Sequence, residues 1–556
     1  MRNRFFPGLF ALALGACAPA QTVGGPPTAP AAPVPAPTAP VVEPDEALGL
    51  PAASWWLQDR AGGPYPGTGA ERAYRELLAG KEPRQPVVVA ILDTGVDPEH
   101  EDLRNVMWKN PREVPGNGID DDGNGYVDDV HGWNFIGGSD GRNVHQDTYE
   151  AARIYASLRR YEGARPDTLS AAARAEYQRF QEIRSELQAS VAKTQTEVQQ
   201  LRAIMPAVNR FAAILQREVG SDSLTVQNVM ALRPVRTDVA QARQVFLQLA
   251  ADGITPALLA EELERLEGRL RSGLNPDFDP RSIVGDNYAD TSERRYGNND
   301  VKGPDASHGT HVAGIVAAER GNGIGVDGIA SAARIMSVRV VPDGDERDKD
   351  VANAIRYAVD NGARVINMSF GKAHSPQKQA VDEAVRYAES KGVLLVHAAG
   401  NDAADSERQP SYPTRHLLTG SVPNNWIEVG ASSYVADSLA ASFSNFSRNR
   451  VDVFAPGVSI LSTVPGNDYQ RNQGTSMAAP VVSGLAALIL SYYPELTAQQ
   501  VREIILESAT RFPGQQVVRP GEGGARVPFA ELSGSGGVVN AYEALRLAEQ
   551  RAGARR

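Results

Sequence analysis

The sequence predicts an α/β protein with a doubly wound, mostly parallel sheet and a long α-helical insertion. Short apolar runs alternate with helical patterns, as in sheets covered by helices on both faces. Polar residues follow the ends of these runs, where such folds place their active sites. Residues 143–276 interrupt the alternation with helical periodicity alone, which indicates the insertion.

Four apolar runs predict buried strands. Each is short, and each is followed by a Gly, Ser or Asp turn. Continuous apolar character is typical of parallel strands that are covered on both faces. The runs are 87–92, which stops at Asp93, then 334–341, 364–368 and 392–397, with helices predicted over 351–361 and 377–391.

The insertion contains a heptad-like apolar stripe, which predicts a long helix or a helical hairpin. Pro206 is expected to kink or end this helix, because a proline inside a helix costs about 3 kcal/mol. A second helix is predicted over 255–272. The simplest interpretation of the stripe is the insertion's own core, and a substrate-gating or partner-binding role is the alternative. The stripe consists of Leu187, Val191, Thr194, Val198, Leu201, Met205 and Val208.

Length and composition narrow the possible functions. A chain of 556 residues is too long for one ordinary domain. We predict a signal peptide at 1–16, a Pro/Ala-rich tether at 17–45, and an α/β domain in two parts at 46–142 and 277–556, separated by the insertion at 143–276. The net charge of −11 argues against nucleic acid as a partner, since phosphates attract basic proteins. A single cysteine excludes an intrachain disulfide and a thiolate zinc site.

The N-terminus has the pattern of an export signal. Arg2 and Arg4 precede a short apolar stretch, 5–14, that is too short to span a bilayer comfortably. The stretch ends in Leu-Gly-Ala-Cys17, which resembles the bacterial lipobox. The resemblance implies cleavage before Cys17 and acylation of its thiol, hence an exported, membrane-anchored lipoprotein that faces the periplasm or the cell surface. The residue after the cysteine is Ala18 and lacks the Asp that is associated with retention in the inner membrane of some bacteria, which favours the outer membrane. The alternative to a lipid anchor is plain secretion.

Three polar residues stand out by their flanking sequence. Ser476 lies in GTSMAAP, at the start of a long apolar helix pattern, where helix-end amides favour developing negative charge. His308 lies in HGTHVAG, and Asp93 closes a strand in ILDTGVD. Taken singly, they could be a helix cap, a metal ligand and a turn residue.

Together, in the order Asp93, His308, Ser476, the three motifs resemble those of subtilisin-like serine peptidases (subtilases). The resemblance covers roughly residues 80–142 and 277–546. It implies that Asp93 orients His308, that His308 takes the proton of Ser476, and that Ser476 forms an acyl-enzyme. The second histidine, His311, is expected to be structural.

Two further segments match the same family. Asn401, in AAGN, corresponds to the family's side-chain donor to the oxyanion. Lys372 stands where the family usually has a second Gly. The resemblance implies that extended peptide pairs with the backbone of two segments, which supply the candidate substrate-binding residues Ser369, Phe370, Gly371, Ala398, Ala399 and Gly400.

Residues 118–129 are crowded with oxygen ligands and predict a structural calcium site. Asp120, Asp122, Asn124 and Asp128 fall at relative positions 1, 3, 5 and 9 of an EF-hand-type loop. His131 stands where that loop would have its bidentate acid, and Asp129 is a candidate replacement. A solvated acidic turn is the alternative interpretation.

A second calcium site is implied by the resemblance alone. Asp102 lies nine residues after Asp93, at the position of a family calcium ligand. The loop that completes the family's site corresponds to residues around Asn322, with Ile324 and Val326 offering carbonyl oxygens.

The sequence therefore predicts a calcium-stabilised serine endopeptidase that acts broadly on protein or peptide substrates. The alternative is a catalytically silent, peptide-binding surface lipoprotein of the same family. Inactive relatives of enzymes commonly lack a catalytic residue. The enzyme is therefore favoured over the silent protein, because all four expected residues are present: Asp93, His308, Ser476 and Asn401. The oligomeric state and the side-chain preference are not predicted.

Overall fold

The computed structural model of the protein describes residues 51–61, 64–251, 254–521 and 523–553. The predicted signal peptide, the predicted tether and Cys17, the predicted site of acylation, lie outside the described residues. The described part of the chain forms an α/β fold with a mostly parallel central sheet, as predicted.

The central sheet has nine strands in the order β10-β13-β7-β6-β5-β4-β1-β3-β2. All neighbours are parallel except β10 and β13. Two hairpins lie outside it, β8 with β9 and β11 with β12. The strands are β1 (Val87–Asp93), β2 (Gly132–Asn134), β3 (Ala333–Arg339), β4 (Val365–Met368), β5 (Leu394–Ala398), β6 (Trp426–Ser432), β7 (Val453–Pro456), β8 (Ile460–Val464), β9 (Asp468–Asn472), β10 (Thr510–Arg511), β11 (Gln516–Val518), β12 (Arg526–Pro528) and β13 (Gly537–Val538).

Helices cover both faces of the sheet. The sequence anticipated α8 and α9, which lie within three residues of their predicted ranges. The helices are α1 (Ala70–Glu76), α2 (Glu150–Leu158), α3 (Ala171–Val219), α4 (Val226–Ala231), α5 (Thr237–Ala251), α6 (Pro256–Gly268), α7 (Ser307–Ala317), α8 (Asp348–Asp360), α9 (Lys378–Ser390), α10 (Thr475–Tyr492), α11 (Ala498–Glu507) and α12 (Ala541–Gly553).

The four predicted strands are β1, β3, β4 and β5. Their side chains alternate between two hydrophobic cores: Val89 and Ile91 of β1 face one core, and Ala90 and Leu92 face the other. The helices α7, α10, α11 and α12 complete the first core, while α8 and α9 complete the second. Burial on both faces is the reason that these strands have no polar alternation.

Helix α10 is the central helix of the first core. By length and composition it could cross a membrane, yet 94% of it is buried inside the described protein. The core therefore accounts for its apolar character.

The insertion is helical, and the apolar stripe forms its core. Leu201 and Val208 of α3 pack with Leu259 and Leu266 of α6 in one cluster, and Leu187 packs near α2 in another. Pro206 was expected to kink or end the helix, and the second of these outcomes is wrong, because α3 continues through it to Val219. Packing on both sides of the proline compensates for the backbone hydrogen bond that it removes.

An N-terminal segment with no strand or long helix pattern joins the first core. Trp55 and Trp56 are fully buried, and the Trp55 indole donates to the carbonyl oxygen of Ser459. The backbone amide of Ala541, at the start of α12, donates to the carbonyl oxygen of Thr68. The segment therefore contacts both the region before β8 and the start of α12.

Candidate active site

Three adjacent strands end together at the carboxyl edge of the sheet. Leu92 of β1 pairs with Met368 of β4, which pairs with His397 of β5. The residues that follow these positions are therefore neighbours. This register brings the ends carrying Asp93, Ser369 and the Ala398–Asn401 segment to one edge, as the sequence pattern predicts.

Asp93 and His308 form a short hydrogen bond. Nδ1 of His308 donates to Oδ1 of Asp93 at 2.7 Å, and the backbone amide of Thr94 donates to the same oxygen at 2.7 Å. The Asp93 side chain is 1% exposed and that of His308 is 11% exposed. Gly309 permits this approach, since a Cβ there would stand 2.1 Å from the carbonyl oxygen of Gly95.

Ser476 is the second residue of α10, which places its amide at the positive end of the helix dipole. Its hydroxyl donates to the carbonyl oxygen of Ser369 at 3.1 Å, and the Ser369 hydroxyl donates back to the carbonyl oxygen of Ser476 at 2.9 Å. Among the hydrogen bonds of the described residues, the Ser476 hydroxyl has none to His308. The helix bearing His308, α7, packs against α10.

Asn401 presents a side-chain donor beside Ser476, and among the described residues its Nδ2 makes no hydrogen bond. Its Oδ1 accepts from the amide and the hydroxyl of Thr475 at 2.9 and 3.0 Å, which directs Nδ2 the other way. A Cβ on Gly474 would stand 3.5 Å from Nδ2 of Asn401 and 3.6 Å from the amide nitrogen of Ser476. Gly474 has φ 151° and ψ 162°, a glycine conformation, and it leaves room where these two donors converge.

The predicted substrate-binding residues lie at or just after the ends of the two neighbouring strands β4 and β5. We call 369–371, the part of this predicted set that follows β4, the substrate wall. The Phe370 carbonyl accepts from Nε2 of His397, whose Nδ1 lies 2.8 Å from Glu428. Across from the wall, Ala398 and Ala399 are buried, and the Gly400 amide donates to the Thr475 hydroxyl at 3.1 Å. The role of His397 was not predicted, because only the tertiary structure shows its two partners.

His311 is structural, as the resemblance implies. Its Nε2 lies 2.9 Å from the carbonyl oxygen of Gln470 and 3.1 Å from that of Ile460, so it joins α7 to the β8–β9 hairpin. The ring is fully buried, and burial lowers its pKa to about 4. His311 therefore stays neutral at physiological pH.

We expect this burial to make the fold sensitive to acid. As the pH falls below 6.5, the imidazole of His311 binds a proton in the unfolded chain. In the folded protein it remains neutral until about pH 4, because its pKa is lowered to about 4. The stability is therefore present above pH 6.5 and is lost towards pH 4, by about 3 kcal/mol. Thermal unfolding of the wild type and of His311→Gln between pH 4 and 8 checks this. Parallel curves for the two proteins would contradict it.

The acidic loop brings together a carboxylate cluster that differs in part from the predicted ligand set. Carboxylate oxygens of Glu113, Asp120 and Asp122 lie within 4.8 Å of one another. Asp128 caps the loop instead, because its carboxylate accepts from the amides of 116–118. Asn124 uses its Oδ1 to accept from the amide of Tyr126. Glu113 was not predicted, since it precedes the motif in the chain. Three close carboxylates fit a hard cation, which prefers oxygen ligands.

Asp102 lies against the predicted second loop. Its carboxylate accepts from Nδ2 of Asn322 at 2.6 Å and from the Val326 amide at 3.0 Å, while the Ile324 amide donates to Oδ1 of Asn322. The carboxylate also accepts from the Tyr469 hydroxyl at 3.4 Å, so its hydrogen-bond partners in this structure are N–H and O–H donors. A calcium ion at Asp102 therefore stays a prediction from the resemblance.

Comparisons with known proteins identify sequence relatives of this chain. The chain matches the family model described as the subtilase family over residues 84–525. It is 41% identical over 243 residues to the thermophilic serine proteinase of Bacillus sp. (strain AK1), covering 43% of this chain and 54% of that protein. It is 42% identical over 209 residues to subtilisin E of Bacillus subtilis (strain 168), covering 37% and 51%. The chain thus spans about half the length of these relatives.

Proposed function

The chain belongs to the subtilase family, and from this premise we propose that it is a serine endopeptidase with Asp93, His308 and Ser476 as its catalytic triad. The observation that carries the proposal is the 2.7 Å hydrogen bond from Nδ1 of His308 to Asp93. This bond keeps the proton on Nδ1 and leaves Nε2 as a free base. Ser476 stands at the same sheet edge, on a helix that packs against the helix of His308.

The proposed reaction follows from these positions. Nε2 of His308 takes the hydroxyl proton as Oγ of Ser476 attacks the scissile carbonyl carbon, and Asp93 stabilises the resulting imidazolium. The oxyanion accepts from Nδ2 of Asn401 and from the Ser476 amide. His308 then gives its proton to the departing amine as the C–N bond breaks. Water, deprotonated by His308, attacks the acyl-enzyme, and the acid product leaves as Ser476 regains its proton.

The hydrogen bond between the Ser476 hydroxyl and the Ser369 carbonyl suggests how substrate prepares the nucleophile. An extended peptide that pairs with the substrate wall offers its own N–H groups to the wall's carbonyl oxygens. When a substrate N–H donates to the Ser369 carbonyl oxygen, the Ser476 hydroxyl loses that acceptor and turns towards His308. Catalytic hydrogen bonds commonly tighten only in the substrate complex.

The proposed substrates are protein segments in extended conformation. The wall residues Ser369, Phe370 and Gly371 would pair with the substrate backbone, and the buried Ala398–Gly400 segment would border it. Backbone pairing is independent of side chains, so broad action on unfolded protein is the proposed activity.

The test uses the full-length protein, purified in detergent. We expect it to hydrolyse casein and to be labelled by a fluorophosphonate at Ser476, as located by mass spectrometry. Labelling at Ser476 together with peptide cleavage supports the proposal. A folded protein that neither cleaves nor reacts contradicts it.

Asn401 offers a sharp test of the proposed oxyanion donor. Asn401→Asp keeps both bonds accepted from Thr475 but lacks the Nδ2 donor, so we expect kcat to fall by about 10²–10³ with KM little changed. Thr475→Val is the matched control, because it removes a hydrogen bond to Oδ1 of Asn401, together with the acceptor of the Gly400 amide, and leaves Nδ2 in place. Equal losses in the two variants would contradict the assignment.

We further propose that Glu113, Asp120 and Asp122 hold a structural calcium ion, which would neutralise their mutual repulsion. Calcium at about 100 times its dissociation constant is then expected to stabilise the fold by about 3 kcal/mol. Thermal unfolding with calcium and with chelator measures this. Asp122→Asn should lose the response, and Asp140→Asn, outside the loop, should keep it. An unchanged unfolding temperature in the wild type would contradict the site.

The resemblance of the N-terminus to a lipobox leads us to propose an exported protein with an acyl anchor on Cys17. Incorporation of radiolabelled palmitate in the producing bacterium tests the anchor. Labelling is expected in the wild type and is expected to disappear in Cys17→Ser.

A further inference from the structure

We propose that Lys372 is a positioning residue through which the helical insertion holds the substrate wall in place. This inference rests on the proposed function of residues 369–371. It begins with the position of Lys372, which directly follows Gly371 and is 3% exposed. A lysine so deeply buried requires compensation for its charge.

The Lys372 ammonium is surrounded by acceptors from two separate parts of the fold. Nζ lies 2.8 Å from Oε2 of Glu150, at the start of α2 in the insertion. It lies 2.8 Å from Oδ1 of Asp348 and 2.7 Å from the carbonyl oxygen of Glu346, both beside the start of α8. One side chain thus connects the end of the wall to the insertion and to the 346–348 segment.

Both acidic partners are themselves tightly placed. The Glu150 side chain is 3% exposed, its amide donates to Asp345, and its carboxylate also pairs with Arg153. Burial opposes its ionisation, but Lys372 and Arg153 outweigh burial and lower the pKa of Glu150 to about 2. Asp348 accepts from the Ser375 hydroxyl and from the Gln377 amide. Burial also opposes the charge of Lys372, but the neighbouring carboxylates outweigh burial and raise its pKa. Glu150 and Lys372 are therefore both charged over the whole neutral range.

The backbone of Lys372 is equally constrained. Its amide donates to the carbonyl oxygen of Tyr412 at 3.0 Å, and its carbonyl accepts from the Tyr412 amide at 2.8 Å. Two residues later, Nε2 of His374 lies 2.9 Å from Glu186 of α3, a second contact between this segment and the insertion.

The wall is thus held at both ends. At one end Ser369 exchanges two hydrogen bonds with Ser476, and at the other Lys372 is held by the insertion. Loss of the Lys372–Glu150 pair leaves a buried charge with fewer ion-pair partners, Asp348 alone for Lys372 or Arg153 alone for Glu150. The fold relieves this deficit by moving the segment that carries the charge. Such a movement changes the spacing between the wall and Ser476, and hence the binding of extended peptide.

The first test measures binding rather than turnover. In a Ser476→Ala background, the affinity for an extended casein-derived peptide is measured by calorimetry with and without Lys372→Met. We expect about a tenfold loss of affinity. Glu150→Gln should give a similar loss, and the double variant should lose less than the product of the two. Lys378→Met, which removes an ion pair with Asp382 on α9, is the matched control and should bind as the parent does.

The second test separates positioning from general damage by kinetics. With Ser476 restored, Lys372→Met should raise KM for the extended peptide about tenfold while kcat changes little. A single-residue ester, too short to lie along the wall, should be affected much less. If Lys372→Met does not fold, Glu150→Gln carries both tests, because it keeps the shape of the side chain.

Unchanged peptide affinity in both variants, or parallel losses for peptide and ester, would overturn the inference. Fluorophosphonate labelling of the parent distinguishes failure of the proposed enzyme from failure of the proposed role of Lys372. A parent that is labelled while its variants bind peptide normally refutes only the role of Lys372. A parent that is not labelled refutes the proposed enzyme, and the binding experiment still decides whether Lys372 positions the wall.

Discussion

Replacement of Ser476 by Ala is expected to lower kcat for casein hydrolysis by about 10⁶-fold, because the nucleophilic oxygen is lost. The residual rate comes from the oxyanion donors and from substrate binding, which the variant retains. The substitution removes one hydrogen bond, to the Ser369 carbonyl. The variant is therefore expected to fold and to bind peptide.

The control for Ser476→Ala lies on the same helix. Ser491, at the other end of α10, donates only to the carbonyl oxygen of Leu488, one turn away. Ser491→Ala thus tests whether a hydroxyl lost from α10 affects activity through the helix. We expect wild-type kcat in this control. Substantial casein cleavage by Ser476→Ala, in a preparation free of other proteases, would rule out Ser476 as the nucleophile.

Replacement of Asp93 by Asn is expected to lower kcat by about 10⁴-fold. Oδ1 of Asp93 accepts from both the Thr94 amide and His308. Because both donors share Oδ1, an Asn with its oxygen at that position keeps both bonds but has no negative charge to stabilise the imidazolium. An Asn with its NH₂ group at that position presents a donor to Nδ1 of His308, and the imidazole then carries its proton on Nε2 and cannot accept the proton of Ser476. Either arrangement weakens His308 as the base.

The tautomer itself can be measured. Nitrogen NMR of His308 should show the proton on Nδ1 in the wild type. In Asp93→Asn, a proton on Nδ1 means that only the charge is lost, and a proton on Nε2 means that the base itself is lost. Asp97→Asn is the matched control, since Asp97 is a nearby buried carboxylate that pairs with Lys302. We expect activity within a few-fold of the wild type in that control. A loss of less than tenfold in Asp93→Asn would exclude the proposed role of Asp93.

The main elements of the fold were predictable because their determinants are local. Strands β1, β3, β4 and β5 are continuous apolar runs, since helices cover both of their faces. Pro206 shows the limit of this reasoning. The low helix propensity of proline predicts that the helix ends there. Packing of α3 against α5 and α6 stabilises the helix instead as far as Val219.

The residues of the candidate sites likewise divide into those that the sequence predicted and those that only the structure revealed. Asp93, Ser369 and Asn401 were predicted to be neighbours, because parallel strands end at a common edge. Glu113 was not anticipated in the carboxylate cluster, nor Asp128 as the cap of its loop, because the loop's path depends on many weak hydrogen bonds. The fully buried Trp55 and Trp56 were missed for a similar reason, since they follow no periodic pattern.

The sequence by itself determined the α/β class, the helical insertion and the motifs that identify the family, because periodicity and short motifs are written in neighbouring residues. Only the tertiary structure decided which distant side chains meet. The pairing of His308 with Asp93, of His397 with Glu428 and of Lys372 with Glu150 joins residues that are 31 to 222 positions apart. Such contacts depend on how whole elements pack, and burial then selects the partners, since a charge removed from water requires a counter-charge nearby.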